Sequence, residues 1–204
     1  MRRLPALPGA RALPAVLALA LAATASAAVV PRALAGQTSA CAFRGAPSAL
    51  AERPSPLDSV LVRLGDGQAK LCYGRPTAAG VPRVGGEVPF GSPWQMGANE
   101  PTTLHLPFPA TLGTVDLPAG SYSLYAIPEA GAWTIVVNGN PDRWGVPIGA
   151  EVRAADIGSF RAPTRPLPQD VDRLTFHFEQ ETQTSGALVF EWERTALSLP
   201  LARR

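Results

Sequence analysis

Lysine is almost missing from this chain of 204 residues: Lys70 is the only one among 18 basic side chains. Histidine is confined to His105 and His177, and cysteine to Cys41 and Cys72. Beyond the terminal Arg203-Arg204 pair the body of the chain has no basic run, so nucleic-acid binding has no electrostatic basis. Two cysteines and two histidines without ligand spacing do not complete a structural zinc site. There is no Gly-x-Ser-x-Gly elbow, no His-Glu-x-x-His, no phosphate-binding glycine loop and no dinucleotide fingerprint. No catalytic class is therefore announced by a motif, and no cofactor is expected. After the first 35 residues nothing approaches the run of about 20 apolar residues that crosses a bilayer as a helix. No long stretch there shows the roughly 3.6-residue period of an amphipathic helix.

What is present is an asymmetric N-terminus. Arg2, Arg3, Arg11 and Arg32 fall within the first 35 residues, which contain no acid. Without that segment, 14 basic residues face 16 acidic ones, and the balance turns from weakly positive to weakly negative. Arg2 and Arg3 precede the apolar run Val16 to Ala23, and small-residue sites follow at Ala25, Ala28 and Ala35. This is the pattern of a cleavable export signal over residues 1–35, and Pro5, Pro8, Pro14 and Pro31 argue against a long helix there. The expected location is the periplasm, the cell envelope or the exterior. Thr38 stands three positions before Cys41, where a lipobox wants a Leu-like residue, which speaks against lipidation of Cys41.

In an oxidising compartment an even cysteine count predicts a disulfide between Cys41 and Cys72. Such a bond would pin an otherwise loose segment, residues 36–56, onto the strand that carries Cys72. The remainder, 57–204, reads as one domain. Gly 19 and Pro 22 are scattered between short apolar runs, as between many strands. Ser59 to Leu64 and Gln68 to Tyr73 flank Gly65-Asp66-Gly67 as a hairpin. Ser121 to Ile127 and Trp133 to Val137 form a second, apolar on both faces as central strands are. Thr102 to Leu106 and Leu174 to Phe178 alternate, turning His105 and His177 outward. Ala187 to Trp192 and Ala196 to Leu201 follow, and Val146 to Ile157 holds the only short helical turn. The sum is an all-β chain, an antiparallel β-sandwich of about eight or nine strands.

Several segments, in order, resemble one bacterial family. They are Tyr73-Gly74-Arg75-Pro76, Pro89-Phe90-Gly91 with Trp94, Gly97-Ala98-Asn99-Glu100, Leu117 to Leu124, Ile127-Pro128, Trp133, Asn138, Trp144-Gly145, Phe176 with Phe178, and Glu191-Trp192. Together they are similar to the family catalogued as domain of unknown function 2911, over roughly Leu57 to Leu201. The resemblance implies an exported β-rich domain and no established activity, so it supplies no catalytic residues. One departure is Gln95, which follows Trp94 where the family commonly has arginine; no anion-binding role is carried over from that arginine.

The polar residues that stand out are Tyr73, Arg75, Asn99 and Glu100, with Trp94 as a flat aromatic floor. Loops gather at the edge of a sandwich, and an aromatic with convergent polar groups suits a glycan or another polar small ligand. The same residues also fit a structural reading: an Arg75–Glu100 ion pair, Asn99 capping a turn, and Trp94 plugging the sandwich end. Trp133, Trp144 and Trp192 read as core or end packing. His105 and His177 would share a metal with Glu179 or Glu100 only if their strands were neighbours. The expectation is a non-catalytic binding module of the envelope. The alternatives are a hydrolase using Glu100 as acid or base with Arg75 tuning it, and a purely structural or protein-interaction module.

Overall fold

The computed structural model describes residues 40–204; the segment read as an export signal lies outside the described residues. Nine strands form one antiparallel sheet in the order β1-β2-β3-β6-β7-β8-β9-β4-β5, not closed into a barrel. The strands are β1 (Leu57–Leu64), β2 (Gly67–Gly74), β3 (Thr102–Leu106), β4 (Ala110–Leu112), β5 (Val115–Leu117), β6 (Gly120–Ile127), β7 (Ala132–Asn138), β8 (Asp156–Gln180) and β9 (Ser185–Arg203). Among the described residues helix is limited to a 3-10 turn at Pro47–Leu50 and α1 (Ala150–Arg153), which lies inside the short helical stretch expected from sequence. Among the described residues no helix is long and apolar enough to cross a membrane.

Both expected hairpins form. Leu57 pairs with Gly74 and Leu64 with Gly67 across β1 and β2, and Ser123 pairs with Asn138 across β6 and β7. The segments expected as separate strands at 174–178, 187–192 and 196–201 are parts of two long ones. Strand β8 pairs with β7 from Asp156 to Pro163, and with β9 from Thr164 to Gln180. Pro163, Pro166 and Pro168 sit at this handover, where the register with β9 shifts between Pro166 and Val171. A proline has no N–H to give a ladder, so it is tolerated where pairing changes partner. That same cluster hides the strand from a sequence reading.

The handover lets one sheet fold into two layers. Leu71, Leu104, Leu124 and Ile135 from β2, β3, β6 and β7 meet Leu174, Phe176, Leu188, Phe190 and Leu199 from β8 and β9 in one buried cluster. Alternation puts these residues on the inner faces. At one end of the core the aromatics gather: the Trp94 ring stacks on Trp192 at 5.4 Å, and Trp133 and Phe190 stand edge-on to it at 5.9 and 6.1 Å. The backbone of Trp94 pairs with Ala126 on the edge of β6, which fixes the ring in place.

Candidate functional site

The five residues singled out from sequence are divided among three places. Tyr73 and Trp94 belong to the aromatic core. Tyr73 is 2% exposed; its hydroxyl accepts the Phe176 N–H at 3.1 Å, and burial foremost raises its pKa. Trp94 is half-buried with one face covered by Trp192.

Arg75 fastens the end of β1 to β8. Its guanidinium donates to the Leu174 carbonyl, to Asp58 and to the Thr175 hydroxyl, each at 3.0 Å. The expected Arg75–Glu100 pair is thus replaced by two others, because Arg75, leaving β2 beside β1, is taken up by Asp58 and β8, and Glu100 by Arg53 and the Arg44 backbone. Glu100, 4% exposed, accepts from Arg53 at 2.6 and 3.1 Å and from the Arg44 N–H at 2.8 Å. Burial would raise its pKa, but Arg53 and the backbone donors more than offset this and hold the carboxyl below its ordinary value. Asn99 sits at φ 66°, a left-handed conformation its short side chain tolerates. Its amide donates to the Ser55 carbonyl at 3.1 Å, and its own carbonyl accepts from the Gly145 N–H at 2.9 Å.

That last bond joins two expected residues to a cleft the sequence did not reveal. The Gly139–Ala155 connection between β7 and β8 lies over the outer face of β6 and β7. Asn138, fully buried, holds both of its ends. The side chain donates to the Val152 carbonyl at 2.7 Å and to Asp156 at 2.8 Å, and accepts from the Asn140 N–H at 3.0 Å. Asp156 also accepts from the Tyr125 hydroxyl at 2.7 Å; burial and this carboxylate push the Tyr125 pKa up to about 12. The connection encloses a pocket of about 280 Å³ walled by Asn140, Arg143, Trp144 and Glu151, with apolar edges from Val146 and Val152. Trp144, expected as core or end packing, is 45% exposed, since it lies on this connection and not on a strand.

Arg143 is fixed from behind. One terminal nitrogen donates to the Trp144 and Gly145 carbonyls at 2.9 and 2.8 Å, and the other to Ser123 at 3.3 Å. Its Nε is buried with no partner. Gln95, 5% exposed, packs under Gly145 with its Oε1 also unpartnered. Two further recesses exist. One of about 340 Å³ lies between the Gly80–Val84 loop and Glu193 to Thr195, where both oxygens of Glu193 are taken by the Arg83 and Val84 N–H groups at 2.5 and 3.0 Å. The other, about 260 Å³, lies beside Pro76 and Trp192 and is spanned by the Arg83–Glu87 ion pair.

The histidines do not meet. His105 is on β3, between β2 and β6; His177 is on β8, between β7 and β9. His105 bonds Ser121 at 2.8 Å and His177 faces Glu179 at 3.4 Å. Among the described residues no three His, Cys, Asp or Glu side chains gather to hold a metal. Cys41 and Cys72 are bonded, with Cα atoms 5.6 Å apart.

Sequence reasoning missed Asn140, Arg143 and Glu151. The available signal was length: a connection from 139 to 155 exceeds the roughly 12–15 residues beyond which loops are usually functional.

These features define a disulfide-bonded antiparallel β-sandwich with a polar, aromatic-walled cleft on its outer face. Residues 55–201 match the model of the family described as protein of unknown function (DUF2911), and the chain belongs to that family. No curated protein and no solved structure matches the chain.

Proposed function

We propose that the protein is an exported, non-catalytic binding module that takes a neutral, hydroxyl-rich ligand such as a glycan ring in the Asn140–Val152 cleft. The observation that carries this reading is the exposed Trp144 side chain sharing one cleft with Asn140, Arg143 and Glu151. A flat aromatic face covers the C–H side of a sugar, while Arg143, Asn140 and Glu151 supply donors and acceptors for its hydroxyls. One cation and one anion at the walls balance each other, which favours an uncharged ligand over a phosphate or a carboxylate. At about 280 Å³ the cleft is at the small end of ligand sites, which run from roughly 300 Å³ upward, and suits one or two rings.

In this reading Asn99 and Glu100 support the cleft from behind, and Trp94 is packing. An acid–base role for Glu100 fits less well, since its carboxylate is buried, ionised and fully engaged by Arg53 and Arg44. The export segment and the Cys41–Cys72 bond are consistent with an oxidising location. The test is a thermal-shift screen against mono- and oligosaccharides. A sugar at about 100 times its Kd should stabilise by about 2.7 kcal/mol. Trp144→Ala should abolish that shift while leaving the unliganded melting temperature unchanged. Equal shifts in both proteins, or none with any carbohydrate, would refute the proposal.

A further inference from the structure

Residues 41–56 form a strap with little regular structure, and the hydrophobic core is built from residues that follow it. What holds the strap is covalent and polar. The Cys41–Cys72 bond ties one end to β2. Pro56, at the other end, accepts the Arg75 N–H at 2.9 Å, and Ser55 accepts the Asn99 amide at 3.1 Å. Between them, Arg44 and Arg53 converge on the buried Glu100 carboxylate, and Arg53 also donates to the Arg44 carbonyl at 3.0 Å.

The strap reaches the cleft through the same arginine. The Arg53 guanidinium lies 4.4 Å from the centre of the Phe43 ring and 5.9 Å from that of Trp144. Arg44 pairs with Asp142, two residues before Trp144. The aromatic wall of the cleft is therefore backed by a segment tied at one end through the main chain to β1, four residues after Arg53, and at the other by the disulfide, beyond Phe43 and Arg44.

We infer that the Cys41–Cys72 bond controls the cleft: oxidised, the strap holds Phe43 and Arg44 against Arg53 and Glu100, with Arg53 under Trp144, and the cleft is formed; reduced, the Cys41 end of the strap leaves with Phe43 and Arg44, and the Trp144 wall loosens. This rests on the cleft being the binding site. The reductant is a dithiol. Its thiolate attacks Cys41 Sγ, since Cys41 is only half-buried while Cys72 is 4% exposed, and Cys72 departs as the thiolate. The second thiol of the reductant then displaces Cys41. The protein gains two electrons and two protons as two thiols, and the reductant becomes a disulfide. Without the tether, the contacts of Phe43 with Arg53 and of Arg44 with Glu100 and Asp142 must form from a segment held, among the described residues, through β1 alone, at a lower effective concentration than in the closed loop; Arg53 then keeps its short connection to β1 but loses their support.

The experiment uses the full protein, oxidised or treated with dithiothreitol, and Cys41→Ser as a reductant-free equivalent. Hydrogen exchange is followed in peptides covering 42–56 and, as a reference, β6 and β7. Acrylamide quenching of tryptophan fluorescence is compared with that of Trp144→Phe, so that the difference reports Trp144 alone. Reduction should speed exchange in the strap by roughly tenfold or more, as expected for loss of a local tether. The β6–β7 peptides should stay protected, and Trp144 should become more accessible to the quencher. Unchanged strap exchange would overturn the inference, as would protection lost throughout the sheet, which would make the bond a general staple. Any carbohydrate that binds should bind more weakly to the reduced protein, and equal affinity overturns the control. A panel that binds in neither state sinks the cleft as a sugar site and leaves the strap measurements standing by themselves.

Discussion

Glu100 and Arg53 set the strongest single-residue expectation. Both side chains are largely buried, at 5% and 13% exposure, so removing one leaves a charge with no water to replace its partner. Arg53→Met should cost about 3–5 kcal/mol of unfolding free energy, as broken buried pairs do. The pH dependence has a definite sign. Because the folded pKa of Glu100 lies below its ordinary 4.5, its contribution is fully present above that value and is lost as pH falls through the folded pKa. Denaturation of wild type and Glu100→Gln at intervals from neutral to acid pH should show a gap that is constant above the ordinary pKa and closes below it. In Arg53→Met the carboxyl keeps only the backbone donors against burial, so its pKa lies higher than in wild type and that variant should lose less ground to wild type in acid. A gap independent of pH would mean that the carboxylate is not the group Arg53 serves.

Among the elements, the Gly139–Ala155 connection depends on close backbone approach. A Cβ on Gly145 would overlap Gln95 Oε1 and come within 2.6 Å of the Asn99 carbonyl oxygen. Gln95 is a side chain that can turn aside, but the Asn99 carbonyl is fixed by the bond it accepts from Gly145 itself. Gly145→Ala should therefore destabilise the protein by about 1–3 kcal/mol, in the range of overpacked sites. Adding Gln95→Ala should recover only part of that loss; full recovery in a thermal melt would show that the backbone contact is not limiting.

The same scale shows what was legible in the sequence. The β1–β2 and β6–β7 hairpins declared themselves, because turn glycines and alternation are local signals. So did the cysteine pair and the alternating faces of 174–178. Strand β8 did not, since the prolines at its change of partner look like a break when only neighbours in sequence are read. The pairings of Arg75 with Asp58 and of Arg53 with Glu100 depend on which loops meet across the sheet, and no local pattern encodes that. Arg53 was invisible for a further reason: it lies in a segment whose sequence promised no structure, and which gains its order from the contacts it makes. Trp144, read as core or end packing, is exposed instead, because bulk and apolarity describe a buried and a surface tryptophan equally well.

At the scale of the whole molecule the decisive element is β9. It lies inside the sheet, between β8 and the β4–β5 hairpin, pairing with β8 up to Leu197 and with β4 from Leu201 to Arg203. Leu199 and Leu201 are fully or almost fully buried. Removing residues 198–204 should strip β4 of its long partner and uncover the core beneath it. The shortened chain should lose cooperative unfolding and bind a hydrophobic dye, the behaviour of a collapsed but unpacked state. A sharp, wild-type-like transition would show that β4 and β5 hold without β9.

The position of β9 bears on how the chain is made. Ribosomes deliver residues in order, and β4 and β5 emerge long before the strand that gives them a place. Sheets completed by distant pairings close slowly. Until residues 201–203 arrive, β4 has no partner but the short β5, so the hairpins made earlier wait for the end of β9 before the sheet is finished, and synthesis and completion of the fold are separated in time.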